Sequence, residues 1–268
     1  MTRLFDHFVL TRFNVALADR TAPSEAWLRS RLDLFSRTML PAMAAQTEKG
    51  FVWLVLCDAR SPAWFVQEIT DRLGSTGTPV WLKEQFSPEL MSSEVSLRAA
   101  RPYLITTRVD NDDSVARDFI EQIQNHFVSQ NMEFLNFTHG AQYQDGWVYY
   151  RSDPANAFCS LIERNSGQAV KTVFVDWHNR IGQHGPIRQI NTVPMWLQVV
   201  HGENLQNSVH GVRARPSILQ NFAHELPVKT VGRLLLLTLA AIDTAKLAWR
   251  VVQQPHRIIW IWQTLSAR

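Results

Sequence analysis

The chain has 268 residues, of which 46% are hydrophobic, with a formal charge of +3 and a pI of about 9.1. This length and apolar fraction suit one large globular domain, with or without a C-terminal appendage, and argue against an intrinsically disordered chain. The basic residues are scattered and no nucleic-acid-binding motif is present, so nucleic acid is not an expected partner.

The expected compartment is the cytoplasm. The two cysteines, Cys57 and Cys159, lie far apart and match neither a zinc-binding spacing nor a disulfide framework. Charged residues interrupt the apolar N-terminal segment, so no signal peptide is predicted. The longest apolar run, Leu234 to Ile242, is too short to span a bilayer. A reducing, cytoplasmic environment is the simplest interpretation.

The first 110 residues alternate between strand and helix patterns. Strands are predicted over Phe5–Leu10, Phe51–Cys57, Val80–Leu82 and Tyr103–Val109, and helices from the Ser24 cap to Leu40 and over Trp64–Leu73 and Pro88–Ala100. The second strand is apolar on both faces, as in a parallel sheet covered by helices. This alternation is typical of an open α/β sheet.

Polar side chains follow three of these strands, at Thr11-Arg12, at Asp58 and from Arg108 to Asp113. In open α/β sheets, ligands bind beyond the carboxyl ends of the strands. The coincidence of the three polar ends predicts one shared site.

From residue 133 the pattern changes to short strands separated by turns. The predicted strands are Phe134–Phe137, Gln142–Tyr150, Ala157–Ile162, Val173–Val175 and Met195–Val200, with turns at Gly140 and Asp145-Gly146. We therefore predict one domain over residues 1–226, more antiparallel after residue 133, and a helical C-terminal region over residues 227–268.

The segment RVDNDD, residues 108–113, crowds Asp110, Asp112 and Asp113 after the fourth strand. Like charges so close repel one another, so they need a cation, hydrogen bonds or free solvation. One interpretation is a turn and N-cap, with Asp113 or Ser114 capping a helix that runs through Ile120. The other is a metal and nucleotide site, because carboxylate oxygens bind hard divalent cations.

Four segments in order carry a family resemblance: HFVLTRFN, WLVLCDARSP, TRVDNDDSV and WLQVVHGENLQN. Together they resemble the family of "putative rhamnosyl transferases", and TRVDNDD is similar to the Asp-x-Asp strand end of GT-A nucleotide-sugar glycosyltransferases. The segments bracket residues 5–210. The resemblance implies a GT-A-like, Rossmann-related open mixed sheet flanked by helices, with a donor half over residues 1–132 and an acceptor half over residues 133–226.

The resemblance also implies an activity. It is the metal-dependent transfer of a sugar from a nucleoside diphosphate sugar to a hydroxyl of a saccharide or lipid-linked glycan, in cell-envelope or exopolysaccharide synthesis. A nucleotidyltransferase built on a similar sheet is the rival enzyme class, although the glycine-rich phosphate loop usual for that class is absent. A non-catalytic carbohydrate-binding or scaffold protein of the same fold is the rival outside enzymes.

Roles near the donor follow from the resemblance residue by residue. Thr11 and Arg12 are expected against the donor nucleotide, where the guanidinium suits diphosphate. Asp58 is expected at the base or ribose, Arg108 near the base, and Asp110 at the ribose or the metal.

The resemblance further implies a divalent ion, Mn²⁺ or Mg²⁺, held by Asp110 and Asp112. A third ligand is expected later in the chain. His201, in VVHGEN, is the first candidate and His210 the alternative. Asn204 and Asn207 are expected to shape the loop that carries His201.

Transfer with inversion requires a general base for the acceptor hydroxyl. Glu163 and Asp176 each end a predicted strand and are both candidates. A retaining enzyme would need neither in that role. Trp147 and Trp177 could stack on acceptor sugars or pack in the core.

Residues 231–252 are strongly helical in propensity, and a second apolar segment follows at Ile258–Trp262. Leucines, tryptophans and cations fit an interfacial helix on an anionic bilayer. They fit a homodimer seam or packing on the main domain equally well. Residues 231–262 are therefore a candidate contact with the inner face of the membrane or with a second copy.

Overall fold

The structure is a computed structural model that describes residues 3–17, 22–167, 169–202 and 208–253. Its strands are β1 (Phe5–Arg12), β2 (Val52–Asp58), β3 (Thr78–Leu82), β4 (Tyr103–Arg108), β5 (Ser114–Val115), β6 (Glu133–Phe137), β7 (His139–Gln144), β8 (Trp147–Ser152), β9 (Cys159–Arg164), β10 (Ile187–Ile190), β11 (Trp196–Val199) and β12 (Val212–Arg213). Its α-helices are α1 (Glu25–Arg37), α2 (Met39–Ala44), α3 (Ala63–Leu73), α4 (Pro88–Ser96), α5 (Phe119–Asn125) and α6 (Arg233–Gln253).

The larger sheet has seven strands in the order β10-β6-β9-β4-β1-β2-β3. Strands β1 to β4 are parallel, whereas β9 runs antiparallel to both β4 and β6. The apolar sequence of β2 is buried between the helical layers, as a parallel strand requires. The predicted open mixed sheet flanked by helices is confirmed.

A second sheet of five strands, in the order β12-β8-β7-β11-β5, was not predicted. The single strand predicted over Gln142–Tyr150 is instead the hairpin of β7 and β8. Its turn is Asp145-Gly146, as predicted, and both residues have positive φ, 51° and 85°.

Two local predictions in this half were wrong. Gly140 lies within β7 rather than in a turn, because it pairs with β8 and β11. An added Cβ at this position would collide with the Trp196 ring. This glycine allows the strand to pass close to the indole. Residues Val173–Val175 form a turn rather than a strand; the Val173 amide donates to Thr106 Oγ1 at 2.8 Å.

The helix predicted from Ser114 was also wrong. Ser114 and Val115 form β5, which pairs antiparallel with β11, and α5 begins only at Phe119. Asp113 is therefore not a helix cap. Its Oδ1 accepts a hydrogen bond from the Val199 amide at 3.0 Å, so it joins the acidic cluster to the end of β11. Pairing with a distant strand overrode the local helical pattern.

Helix α1 begins as predicted, since Ser24 Oγ accepts a hydrogen bond from the Trp27 amide. Its buried face consists of Leu28, Leu32 and Phe35 together with Arg31. A buried arginine on such a stripe requires a counter-charge. That requirement connects α1 to the acidic cluster.

Helix α6 packs on β12 through Asp243, which is buried and accepts hydrogen bonds from the backbone and the guanidinium of Arg213. The predicted second segment, Ile258–Trp262, lies outside the described residues, as do Asn204 and Asn207. Within the described ranges, no helix combines the length and apolarity needed to cross a bilayer.

Candidate functional site

Three predicted site residues meet at one edge of the larger sheet. Strand β1 lies between β2 and β4, and all three run parallel. The register pairs Arg12 with Leu56 and Leu10 with Arg108. The carboxyl ends that carry Arg12, Asp58 and Arg108 are therefore adjacent. Pairing of the strands, which the sequence predicted only in outline, brings these side chains together.

Asp110 is held by two arginines. Arg108 Nη2 donates to Asp110 Oδ2 at 2.7 Å, and Arg12 Nη2 lies 3.5 Å from Oδ1. Both guanidinium groups also lie over the Phe174 ring, at 5.2 Å for Arg12 and 5.7 Å for Arg108. Burial raises the pKa of Asp110, but the charges and hydrogen bonds of Arg108 and Arg12 outweigh burial and hold that pKa well below its usual range. Asp110 is therefore an anchored carboxylate.

Asp112 forms a second cluster of contacts, with Arg31 and His201. Its Oδ2 is 2.5 Å from Arg31 Nη1 and 2.9 Å from His201 Nε2. Arg31 Nη1 and His201 Nε2 are 3.1 Å apart. The predicted metal ligands Asp112 and His201 therefore lie together, with a guanidinium beside them. The alternative ligand, His210, lies near Arg250 of α6 instead, 3.4 Å from its Nη1.

Asp113 completes the acidic cluster. Its carboxyl group is buried, and burial together with repulsion from Asp112 and Asp110 raises its pKa well above the ordinary value. The Asp113 carboxyl group also accepts the hydrogen bond from the Val199 amide, so it is held in place at the end of β11. In the described part of the site, the guanidinium groups of Arg12, Arg31 and Arg108 face the carboxylates of Asp110 and Asp112. Guanidinium groups of this kind bind anionic ligands such as phosphate.

The β2 end is organised around Asp58. Both of its carboxylate oxygens accept hydrogen bonds from the Arg60 side chain, at 3.0 and 2.7 Å, and these bonds hold its pKa below the usual value. The Asn14 side chain accepts from the Asp58 amide at 3.2 Å and so ties the β1 loop to this end. Asp58 is thus placed beside the β1 end, where it was predicted to lie.

Thr11 does not present its side chain to this edge. Its hydroxyl is buried and accepts a hydrogen bond from Trp53 Nε1 at 2.9 Å, inside the core. Alternate residues of a strand point to opposite faces of the sheet, and Thr11 lies on the face that packs against Trp53, opposite to Arg12. The contact of Thr11 with the donor stays a prediction, and in this geometry its backbone rather than its side chain would make it.

Glu163 lies away from the cluster. It pairs with Leu104 near the start of β4, whereas Asp110 follows the end of that strand. Six residues of extended chain span roughly 20 Å. Its two oxygens accept hydrogen bonds from the amides of Lys171 and Thr172, at 2.8 and 2.9 Å. Burial raises the pKa of Glu163 despite these bonds. The geometry does not bring this residue to the donor edge as a base.

We expect Glu163→Gln to lower the free energy of unfolding by about 1–3 kcal/mol, because one amide donor would lose its acceptor. Donor hydrolysis and sugar transfer should stay within a few-fold of wild type. Urea unfolding and a turnover assay on the same preparation check both statements. A folded variant with turnover lost would restore Glu163 as the candidate base.

Asp176 lies on the loop that follows Phe174, the ring under Arg12 and Arg108. Its Oδ1 accepts from the Trp177 amide at 2.7 Å, and His184 Nε2 lies 3.1 Å from its Oδ2. These contacts, the Trp177 amide first, hold its pKa below the usual value. Asp176 is thus an ionised carboxylate on a loop at the border of the site. The neighbouring Trp177 side chain is 59% exposed.

Arg31, Phe174 and His178 lie at the site but were not predicted from the sequence as site residues. Burial, then the charge of Arg108, lowers the pKa of His178, and its buried Nδ1 has no hydrogen-bond partner among the described residues. Arg31 had a usable signal, since it falls on the apolar stripe of a predicted helix. His178 and Phe174 lie in a loop without periodicity, so only the tertiary structure locates them.

A divalent ion fits Asp112 and His201 in part. Two ligand atoms at neighbouring positions of an octahedral ion lie roughly 3 Å apart, which agrees with the 2.9 Å between Asp112 Oδ2 and His201 Nε2. No group of three His, Cys, Asp or Glu side chains able to hold a metal occurs in the described residues. Such an ion would therefore take its remaining ligands from a substrate and water.

Two solved structures are similar to this chain at low sequence identity. A TarS fragment from S. aureus solved in complex with UDP has 10% sequence identity and a TM-score of 0.45, over 73% of this chain and 60% of that one. The inositol-1-phosphate CTP transferase from T. maritima has 8% identity and a TM-score of 0.38, over 77% of this chain and 94% of that one. Likeness at this level carries no argument about activity.

The chain thus spans 60% of the length of the TarS fragment. It has no significant match among curated proteins. The family comparison is more informative: the profile described as "Putative rhamnosyl transferase" matches residues 14–213, about three quarters of the chain. The match begins in the β1 loop and ends in β12, and so includes Asp58, Arg108, the acidic cluster and His201. The chain therefore belongs to the "Putative rhamnosyl transferase" family.

Proposed function

We propose that this protein transfers a sugar from a nucleoside diphosphate sugar to a saccharide hydroxyl, with the donor bound at the edge formed by β1, β2 and β4. The observation that carries the proposal is the convergence of Arg12, Arg31 and Arg108 on Asp110 and Asp112. Guanidinium groups bind phosphate through paired hydrogen bonds. A diphosphate is an anionic ligand of the kind that such groups bind.

The proposed roles follow the positions of the side chains. Arg12, which also lies 5.4 Å from the Phe86 ring, contacts the diphosphate. Asp58 accepts hydrogen bonds from the ribose or the base at the neighbouring strand end. Arg108 positions Asp110 through their ion pair, and Asp110 faces the ribose or the bound cation.

Asp112 and His201 are the proposed protein ligands for a divalent cation, Mn²⁺ or Mg²⁺. When bound, the cation would neutralise charge on the leaving diphosphate. Asp112 supplies a carboxylate oxygen and His201 an imidazole nitrogen. The 2.9 Å separation of these atoms supports this assignment.

The acceptor is proposed to lie beside the loop of Asp176 and Trp177. Asp176 is ionised and partly accessible, as a general base for a sugar hydroxyl must be. The exposed indole of Trp177 offers a stacking surface for a sugar ring. Trp147 is less available, since Arg213 and Lys229 lie over its ring at 5.1 and 5.6 Å.

A donor-hydrolysis screen across nucleotide sugars, with and without Mn²⁺, tests the proposed reaction. We expect one nucleoside diphosphate sugar to be hydrolysed slowly without acceptor, and the matching nucleoside diphosphate to raise the melting temperature. Release of pyrophosphate from a nucleoside triphosphate would instead identify a nucleotidyltransferase. Tight glycan binding without any nucleotide effect would identify a non-catalytic binding protein.

We also propose that α6 contacts an anionic bilayer and so brings the enzyme to a lipid-linked acceptor at the inner face of the membrane. Six of its large apolar side chains are 44 to 82% exposed. At about 100° per residue, Leu234, Leu237, Trp249 and Val252 lie on the face opposite Asp243, and Leu235 and Ile242 lie along one border of that face. Arg233 and Lys246 border that face. Arg250 lies on the Asp243 side, where its Nη1 donates to the Val209 carbonyl oxygen at 3.1 Å, and Asp243 is buried against Arg213. An apolar face bordered by cations fits an anionic interface.

We expect the full chain to sediment with vesicles that contain about one third anionic lipid and not with neutral vesicles. The double variant Leu234→Glu/Leu237→Glu should lose this binding. Leu97→Glu, at an exposed leucine beyond α4, is the matched control and should retain it. A double variant that still binds vesicles contradicts the proposal. Concentration-dependent dimerisation that the double variant abolishes would assign the face to a second copy instead.

A further inference from the structure

Arg31 is a buried cation on a helix face that otherwise packs into the core. Its side chain is 7% exposed, whereas that of Arg29, two residues earlier, is 55% exposed. The guanidinium lies 4.9 Å from the Trp27 ring and contacts Asp112. A buried charge requires a partner of opposite sign, so Arg31 and Asp112 stabilise one another.

Arg31 contacts both atoms that the proposed metal site would use. Its Nη1 is 2.5 Å from Asp112 Oδ2 and 3.1 Å from His201 Nε2. A divalent cation on the same two atoms would face the guanidinium across a few ångströms, where like charges repel strongly. The guanidinium and a metal ion are therefore competing partners of this pair.

A cleft beside Arg31 offers the guanidinium another partner. The cleft has a volume of about 350 Å³ and is lined by Ser30, Arg31, Asp33, Leu34, His201 and Gly202. A phosphate that entered it would reach the guanidinium directly. Because arginine binds phosphate as readily as carboxylate, the ligand can draw Arg31 away from Asp112.

We infer that Arg31 is an internal counter-ion that keeps Asp112 and His201 from binding a divalent cation until the diphosphate of the donor engages its guanidinium. The inference rests on the proposed function of this site. It requires that the cation and the nucleoside diphosphate bind cooperatively. By linkage, each ligand must strengthen binding of the other by the same factor.

The wild-type protein provides the first test. Binding of Mn²⁺ is followed by the electron paramagnetic resonance signal of the free ion, without nucleotide and with saturating UDP, CDP, GDP or TDP. A titration without protein corrects for Mn²⁺ bound by the nucleotide alone. We expect Mn²⁺ to bind at least tenfold more tightly in the presence of the nucleotide that the protein recognises. Equal affinity in both conditions would overturn the inference.

The variant Arg31→Gln provides the second test. It should bind Mn²⁺ without nucleotide at least tenfold more tightly than wild type, and nucleotide should add little. Arg29→Gln, on the exposed side of the same helix, should behave as wild type. Arg31→Gln/Asp112→Asn should lose the gain in Mn²⁺ affinity. An Arg31→Gln protein with wild-type Mn²⁺ affinity would contradict the inference.

These measurements separate this inference from the proposed function. If Arg31→Gln fails to fold, the conservative variant Arg31→Lys, which keeps the charge but loses the paired guanidinium hydrogen bonds, takes its place, and equal Mn²⁺ affinity of wild type with and without nucleotide still overturns the inference. If no nucleoside diphosphate binds to wild type, the proposed function fails. The Mn²⁺ affinity of Arg31→Gln alone then decides whether Arg31 competes with the cation.

Discussion

Replacing Asp112 with asparagine is expected to reduce sugar transfer by roughly 10²–10³-fold, the loss that follows removal of one charge-stabilising group from an active site. Asp112 Oδ2 contacts Arg31 and His201, so the substitution removes the charge that joins them. The side chain is 13% exposed. Asparagine keeps an oxygen for the hydrogen bonds, but buried Arg31 loses its counter-charge, so we expect a folded protein whose free energy of unfolding is lower by about 1–3 kcal/mol.

The matched control is Asp145→Asn. Asp145 has φ of 51° in the β7–β8 turn, a conformation that asparagine adopts readily, so turnover and stability should both be unchanged. Initial rates with the donor found by the screen, together with circular dichroism, measure the effect. A folded Asp112→Asn protein with wild-type rates would mean that this carboxylate is not part of the reaction.

Replacing Arg108 with leucine should both destabilise the protein and abolish donor binding. Arg108 is buried and pairs with Asp110, which is 29% exposed. Removing one member of a buried pair costs about 3–5 kcal/mol, and the partial exposure of Asp110 lowers this to about 2–3 kcal/mol. Donor binding fails separately, because the leucine cannot position Asp110.

The double variant Arg108→Leu/Asp110→Asn separates the two effects. It no longer contains a carboxylate that has lost its nearer cation and keeps only Arg12, so we expect part of the lost free energy of unfolding to return. Donor binding should not return. Urea unfolding and nucleotide titration of the three variants give the comparison. A double variant that regained donor binding would show that the ion pair serves the fold alone.

The parallel half was predictable because its signals are local. Apolar strands such as Val52–Asp58 and the capped helix α1 follow from periodicity, composition and one serine. The polar strand ends were visible in the sequence, and the rule for parallel sheets placed them at one edge. The position of Glu163 could not be predicted, because a strand-end position in sequence does not say which end of the sheet it occupies. Strand β9 runs antiparallel, so Glu163 lies at the opposite end from Asp110.

What the sequence by itself determined was therefore the class of fold, the edge of the sheet that carries the polar residues, and the Asp145-Gly146 turn. These depend on side chains that are neighbours along the chain or on the fixed direction of parallel strands. Only the tertiary structure decided which charges pair. Arg31, Asp112 and His201 come from α1, the β4–β5 loop and the end of β11, separated by 81 and 89 residues. The cost of leaving buried charges unpaired is a property of the packed interior, so no local pattern in the sequence contains it.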